Sequence, residues 1–148
     1  MYRWGADGLE VLLVHPGGPF WSRRDLAAWS IPKGEIGPGE EPEASAKREF
    51  AEELGIQPEG DLLTLGEIRQ RGGKTVLAFA LQGKFDVAAL RSNTFEIEWP
   101  PRSGRIQSFP EVDRAGWFDL PTAREKIIDG QRPFLERLDD ILRASPTD

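Results

Sequence analysis

The chain has 148 residues, enough to bury one core and short for two, and with 39% hydrophobic and 30% charged residues its composition is globular, not disordered. A net charge of −6 argues against long nucleic acid as a partner, while leaving room for a small phosphorylated ligand in a local positive pocket. The absence of cysteine excludes disulfides and thiolate metal sites.

In chain order, MYRWGADG carries neither the basic nor the apolar region of a signal peptide, and no segment is apolar for long enough to span a bilayer. One domain over residues 1–148, located in the cytoplasm and with no membrane partner, is the expectation. Leu9 to Val14, LEVLLV, is a short apolar run between Asp7-Gly8 and Pro16-Gly17-Gly18, the pattern of a buried strand between turns. A long loop rich in glycine and proline follows and carries Trp21 and Trp29; loops of such length inside a domain are usually functional. A helix is expected next, with Pro42 in its first turn, Glu40, Glu41 and Glu43 at its positive end, and Gly55 just past its last turn.

Beyond the helix, Leu62 to Arg71 and Lys74 to Leu81 read as two strands joined at Gly72-Gly73. Thr94 to Trp99 alternates, with Phe95, Ile97 and Trp99 on one face and Glu96 and Glu98 on the other, and is expected as a strand. Ala115 to Phe118 is a further short one. Pro121 to Leu142 reads as one closing helix or two, with breaks at Gly130 and Pro133. Its buried positions are Ile127, Ile128, Phe134, Leu135, Leu138 and Leu142.

At about 100° per residue, Ala46, Phe50 and Leu54 form the core stripe of the first helix, and Glu49, Glu52, Glu53 and Ser45 share an adjoining one. Like charges at i+3 and i+4 repel by roughly 0.2–0.5 kcal/mol each, and carboxylates are further disfavoured at the negative end of the helix dipole. A hard divalent cation such as Mg²⁺ or Mn²⁺ removes the conflict. The plainer alternative is the solvated side of an amphipathic helix.

From Gly34 to Ile56 the chain reads GEIGPGEEPEASAKREFAEELGI. It resembles the Nudix box, G-x5-E-x7-R-E-U-x-E-E-x-G-U with U a bulky apolar residue, at Gly34, Glu40, Arg48, Glu49, Phe50, Glu52, Glu53, Gly55 and Ile56. The resemblance implies an α/β fold of Nudix type, an α-β-α sandwich around a mixed sheet. The family's first strand has only Met1 to Trp4 to form from, so either a short stub or a misplaced start of the chain is expected. It also implies hydrolysis of a nucleoside diphosphate linked to another group, with Mg²⁺ (or Mn²⁺) as cofactor and a small phosphorylated nucleotide as substrate. Glu49, Glu52 and Glu53 would be metal ligands with the Gly34 carbonyl, Glu53 or a nearby carboxylate would help activate water, and Glu40, Arg48 and Gly55 would serve the motif's structure.

Outside the box, Lys33 is a candidate phosphate contact, as WSIPKG resembles the loop of Nudix hydrolases acting on dinucleoside polyphosphates and diphosphoinositol phosphates. An exposed loop lysine is the equal alternative. Arg23, Arg24 and Arg105 are weaker phosphate candidates, and Trp21 and Trp29 either stack on a base or pack the loop. His15, the only histidine, is read as structural. Glu98 and Glu111 are equal candidates for an extra carboxylate. A Nudix-fold binding module without turnover is the second function class, disfavoured because no box glutamate is missing.

Overall fold

Leu9–Val14 does become the middle of a strand covered on both faces. The computed structural model describes residues 1–33, 37–69, 73 and 75–144. Strand β2 (Gly8–Pro16) lies between β1 (Tyr2–Gly5) and β7 (Val112–Asp119), antiparallel to each. Alternate side chains of a strand point to opposite faces. Val11 and Leu13 therefore join Trp29, Ile127, Phe134 and Leu135 in one cluster, and Leu12 and Val14 join Phe50, Leu54, Phe85 and Val112 in the other. Burial of each such side chain contributes about 1.5–3 kcal/mol, so β2 anchors both halves of the core.

The expected short first strand is β1, four residues long. Its outer edge receives the hairpin of β3 (Leu63–Arg69) and β4 (Thr75–Ala80): Tyr2 N–H donates to Leu81 O at 2.9 Å and Gly83 N–H to Tyr2 O at 3.0 Å. This parallel contact at Tyr2 and Gln82, with a second between Trp29 and Ile127, gives a mainly antiparallel arrangement its mixed character. Strand β5 (Thr94–Glu98) pairs with β6 (Ile106–Pro110), which the sequence did not announce. Its IQSFP run lacks alternation, and Ile106 is 63% exposed.

Helix α1 (Pro42–Leu54) ends at Gly55 in the left-handed region, φ 90°, with Gly55 N–H donating to Ala51 O at 2.8 Å. Helix α2 (Leu120–Lys126) is capped by Asp119, which accepts from Thr122 N–H, and a 3-10 turn (Asp129–Gln131) leads to α3 (Arg132–Ala144). Gly130 lies in that break, as expected. Pro133 does not break a helix; it sits in the first turn of α3, where a missing N–H costs nothing. Ile128 and Leu142 are only partly buried.

The long loop is sewn to the helical layer by main-chain bonds. Ala27 N–H donates to Glu125 O, Ala28 and Trp29 N–H to Lys126 O, and Ile128 N–H to Trp29 O, at 2.8–3.0 Å. Trp29 is a core residue, its ring edge-on to His15 at 5.2 Å and Phe118 at 5.1 Å, and its indole N–H bonded to Asp25. His15 is fully buried, with Nδ1 2.8 Å from Asp113 Oδ1 and Nε2 2.6 Å from Arg24 O. None of the described helices is long and apolar enough to cross a membrane.

A Cβ built at Gly55 lies 2.6 Å from Arg91 O, at a φ that side chains rarely adopt. Gly55→Ala is expected to destabilise the fold by about 2 kcal/mol, read as a drop in urea midpoint at unchanged slope. A change below about 0.5 kcal/mol would show that the backbone here relaxes freely.

Candidate active site

The last turn of α1 is held from outside. The carbonyls of Glu52 and Leu54, which have no partner within the helix, accept N–H groups of Asn93 at 2.8 Å and Arg91 at 3.1 Å. Glu111 N–H donates to Asn93 O at 2.8 Å, and Val112 N–H to Ser92 Oγ at 2.9 Å. One short segment, residues 91–93, thus ties the helix end to the start of β7 and brings Glu111 beside it.

Arg48 spreads over three carboxylates. Its Nε donates to Glu40 Oε2 at 2.8 Å and its Nη2 to Glu40 Oε1 at 3.0 Å, while Nη1 lies 2.9 Å from Glu49 Oε1 and 3.1 Å from Glu52 Oε1. Glu40 also accepts Gly37 N–H at 2.8 Å and a hydrogen bond from the Ser45 hydroxyl. The Arg48 bonds, then the Gly37 N–H, hold the Glu40 carboxyl down at about 2. Ser45 was expected on the carboxylate stripe with space above it; it is 3% exposed and turned to Glu40. Ala46, expected in the core, is only partly buried and lines a cavity instead.

Glu53 accepts the main-chain N–H of Lys33 at 2.9 Å. Burial pushes its carboxyl up to about 8, against that bond and the Lys33 charge. Burial also raises Glu49, with Arg48 opposing, and Glu111 acts electrostatically on both. A set of carboxylates crowded with so little positive charge is all hard oxygen, the donor chemistry that suits a small divalent cation. Among the described residues no three acidic side chains converge as a ready-made cluster, since Arg48 draws Glu49 and Glu52 while Lys33 N–H draws Glu53.

Beside these groups lies a cavity of about 740 Å³ between α1 and β4, lined by Lys33, Lys47, Glu49, Phe50, Leu77 and Phe79 among others. Lys33 and Glu49 reach it together. Gly34 lies outside the described residues. Arg23 and Arg24 are exposed on the loop, Arg24 with its guanidinium 5.4 Å from the Trp21 ring, and neither lines the cavity. Arg105 sits in the β5–β6 turn, its N–H on Ser103 Oγ and its carbonyl accepting Trp99 N–H. Of the two extra carboxylates, Glu111 is brought to α1, while Glu98 is exposed at the end of β5 opposite Ile106. Lys47 and Phe79 were not singled out in the sequence. Lys47 carries no local signal that separates it from a solvated helix lysine, and Phe79 reads as ordinary strand.

A family model described as NUDIX domain matches residues 3–138. The chain belongs to the Nudix family. As such it is a hydrolase acting on pyrophosphate bonds. It is 29% identical over 141 residues to an RNA pyrophosphohydrolase of Rhodospirillum rubrum, covering 89% of this chain and 83% of that one. Among solved structures, a C. elegans Ap4A hydrolase binary complex superposes with TM-score 0.65 at 24% identity, over 97% of this chain and 95% of that chain. The NUDIX domain of Shewanella oneidensis NrtR complexed with ADP ribose does so with TM-score 0.64 at 19% identity, over 95% and 82%. At these identities the likeness is one of fold, a Nudix α/β fold.

The Glu40 anchor has a pH signature. A carboxyl whose folded-state value is depressed to about 2 from an ordinary 4.5 contributes stability that is complete above 4.5 and fades as pH falls toward 2. The urea-midpoint gap between the wild type and Glu40→Gln is therefore expected to be constant from about pH 8 to 5 and to narrow below about 4.5. A gap that stays the same down to pH 3 would mean that the lost charge is not what the variant reports.

Proposed function

We propose that the protein is a divalent-metal-dependent pyrophosphohydrolase, using Mg²⁺ or Mn²⁺, that cleaves a nucleoside diphosphate linked to another group by attack of water on phosphorus. The observation that carries this reading is that Lys33 and Glu49 line one cavity between α1 and β4, with Glu53 held by the Lys33 N–H and Glu111 close enough to act electrostatically on both glutamates. Glu49, Glu52 and Glu53 would hold the metal, with Glu111 joining them and the Gly34 carbonyl as a further ligand. The bound cation would neutralise the phosphate oxygens and lower the pKa of a coordinated water.

The chain's own residues do the remaining work. Lys33 N–H orients one oxygen of Glu53; a bound cation would keep this carboxyl ionised against the burial that raises it, so that its other oxygen could accept the proton of the attacking water. The Lys33 ammonium, one residue before the end of the loop, meets the phosphate chain. Arg48 and Glu40 fix the slope of Glu49 and Glu52 without touching substrate. The apolar walls at Phe50, Leu77 and Phe79 receive the organic part of the substrate. No covalent enzyme intermediate is needed. A complete box of glutamates favours turnover over a binding-only role.

A second reading, removal of pyrophosphate from an RNA 5′ end, is supported by the name of the R. rubrum relative. A terminal triphosphate offers the same anhydride, and one terminal nucleotide needs no basic stripe, which a net charge of −6 makes improbable.

Incubation with Mg²⁺ and a panel of nucleoside diphosphate derivatives and triphosphorylated RNA, with products identified by mass, is expected to give pyrophosphate-bond cleavage that stops in excess chelator. Glu53→Gln is expected to lower kcat by about 10²–10⁴-fold with the fold intact by circular dichroism. Full activity in chelator or in this variant would remove the mechanism.

Saturating Mg²⁺ is expected to raise the Tm by binding the folded state preferentially; an unmoved Tm counts against a metal site at α1. Lys33→Ala is expected to change KM or kcat by about tenfold, KM if the contact is uniform and kcat if it strengthens during attack. Wild-type values of both constants would place the lysine in solvent.

A further inference from the structure

Gln131 is buried completely at the turn before α3, a hundred residues from the loop it serves. Its Oε1 accepts the N–H of Ile31 at 2.9 Å, while its Nε2 has no hydrogen-bond partner among the described residues. A buried amide with one half unpaired carries a desolvation penalty, so a leucine of similar size would pack at lower cost. What leucine lacks is an acceptor for Ile31.

That acceptor stands in a defined series. The main-chain ties from the loop to the helical layer run from Ala27 to Trp29 and stop there. The Gln131 side chain makes the next tie, at Ile31; Pro32 has no N–H to offer; and Lys33 N–H then donates to Glu53. Ser30 is fixed from the other side, exchanging main-chain bonds with Val14 on β2 at 2.8 and 2.9 Å. Ile31 is thus the last residue held by the scaffold before the loop reaches the carboxylate.

We propose that Gln131 is a positioning residue for hydrolysis, holding Ile31 so that Lys33 N–H stays aimed at Glu53. The inference rests on the reading of Glu53 as the proton acceptor given above. Gln131 touches neither substrate nor reacting atoms; it acts through two residues of main chain. Loose support of this kind misplaces a catalytic group by fractions of an ångström, which lowers kcat more than it weakens binding.

The test uses Gln131→Leu, which removes the acceptor, and Gln131→Glu, which keeps an oxygen in its place. In the leucine variant, kcat per folded molecule is expected to fall about ten- to hundredfold with KM within about twofold. Amide exchange at Ile31 and Lys33 is expected to quicken by at least about tenfold while α1 exchanges as before. The glutamate variant is expected to restore most of both.

Wild-type kcat, or a raised KM at wild-type kcat, in the leucine variant would overturn the proposal. Should that variant not fold, the wild type decides: Ile31 and Lys33 amides exchanging at the rate of free chain would overturn it, and protection matching that of Trp29 would support it. Because exchange is read without substrate, lost Lys33 protection in the leucine variant together with wild-type kcat in Glu53→Gln would refute the reading of Glu53 as proton acceptor, while leaving the tether itself standing.

Discussion

Three carboxylates in the last turns of a helix repel one another and the helix dipole alike, and much of the surrounding structure is arranged against that repulsion. Arg48 lies across Glu49 and Glu52 and is itself gripped by both oxygens of Glu40, so a single guanidinium couples the loop before α1 to its end. That fork is planar and bidentate, a geometry lysine does not provide. Glu53 points away from it and takes a main-chain N–H instead. The compensation is partial, which is why burial still raises Glu49 and Glu53.

Crowding of this kind needs a rigid support, and the two-sided core supplies it. Phe50 and Leu54 fix α1 against Leu12 and Val14 of β2, whereas Leu13 and Val11 on the opposite face carry the cluster that docks Trp29, α2 and α3. The same strand therefore sets the position of α1 and of the loop that brings Lys33 to Glu53. Loss of packing on either face would shift one of them relative to the other. The parallel contact at Tyr2 adds the β3–β4 hairpin, which closes the cavity opposite α1.

What was legible in the sequence was legible for local reasons. Proline at the start, glycine at the end and apolar residues four apart mark α1, and the spacing of its glutamates follows from helical geometry alone. LEVLLV announced a doubly buried strand by its lack of alternation. Angle counting failed at Ser45 and Ala46, because the neighbours outside the helix decide which side of it is covered; Ser45 turns inward to Glu40 and Ala46 opens onto the cavity. Strand β6 is half of an exposed hairpin and has little apolar pattern to display. That Glu111 and not Glu98 lies close to α1 depends on a main-chain bond between Asn93 and Glu111, which no side-chain pattern encodes.

These outcomes share one cause. The groups proposed to do chemistry are side chains on one helix, where residue type and spacing are the whole requirement. The groups that aim them are mostly main chain: the N–H of Lys33 on Glu53, those of Asn93 and Arg91 on the end of α1, that of Gly37 on Glu40. A backbone amide is the same at every residue except proline, so its placement leaves almost no trace in composition. Arg48, which lies across Glu49 and Glu52, is one exception; Gln131 is another, a side chain placed where the loop has left the reach of the helical layer's backbone. Its amide at a fully buried position conflicts with simple packing, and such local conflicts are where a sequence set by folding alone gives way to one set by a site.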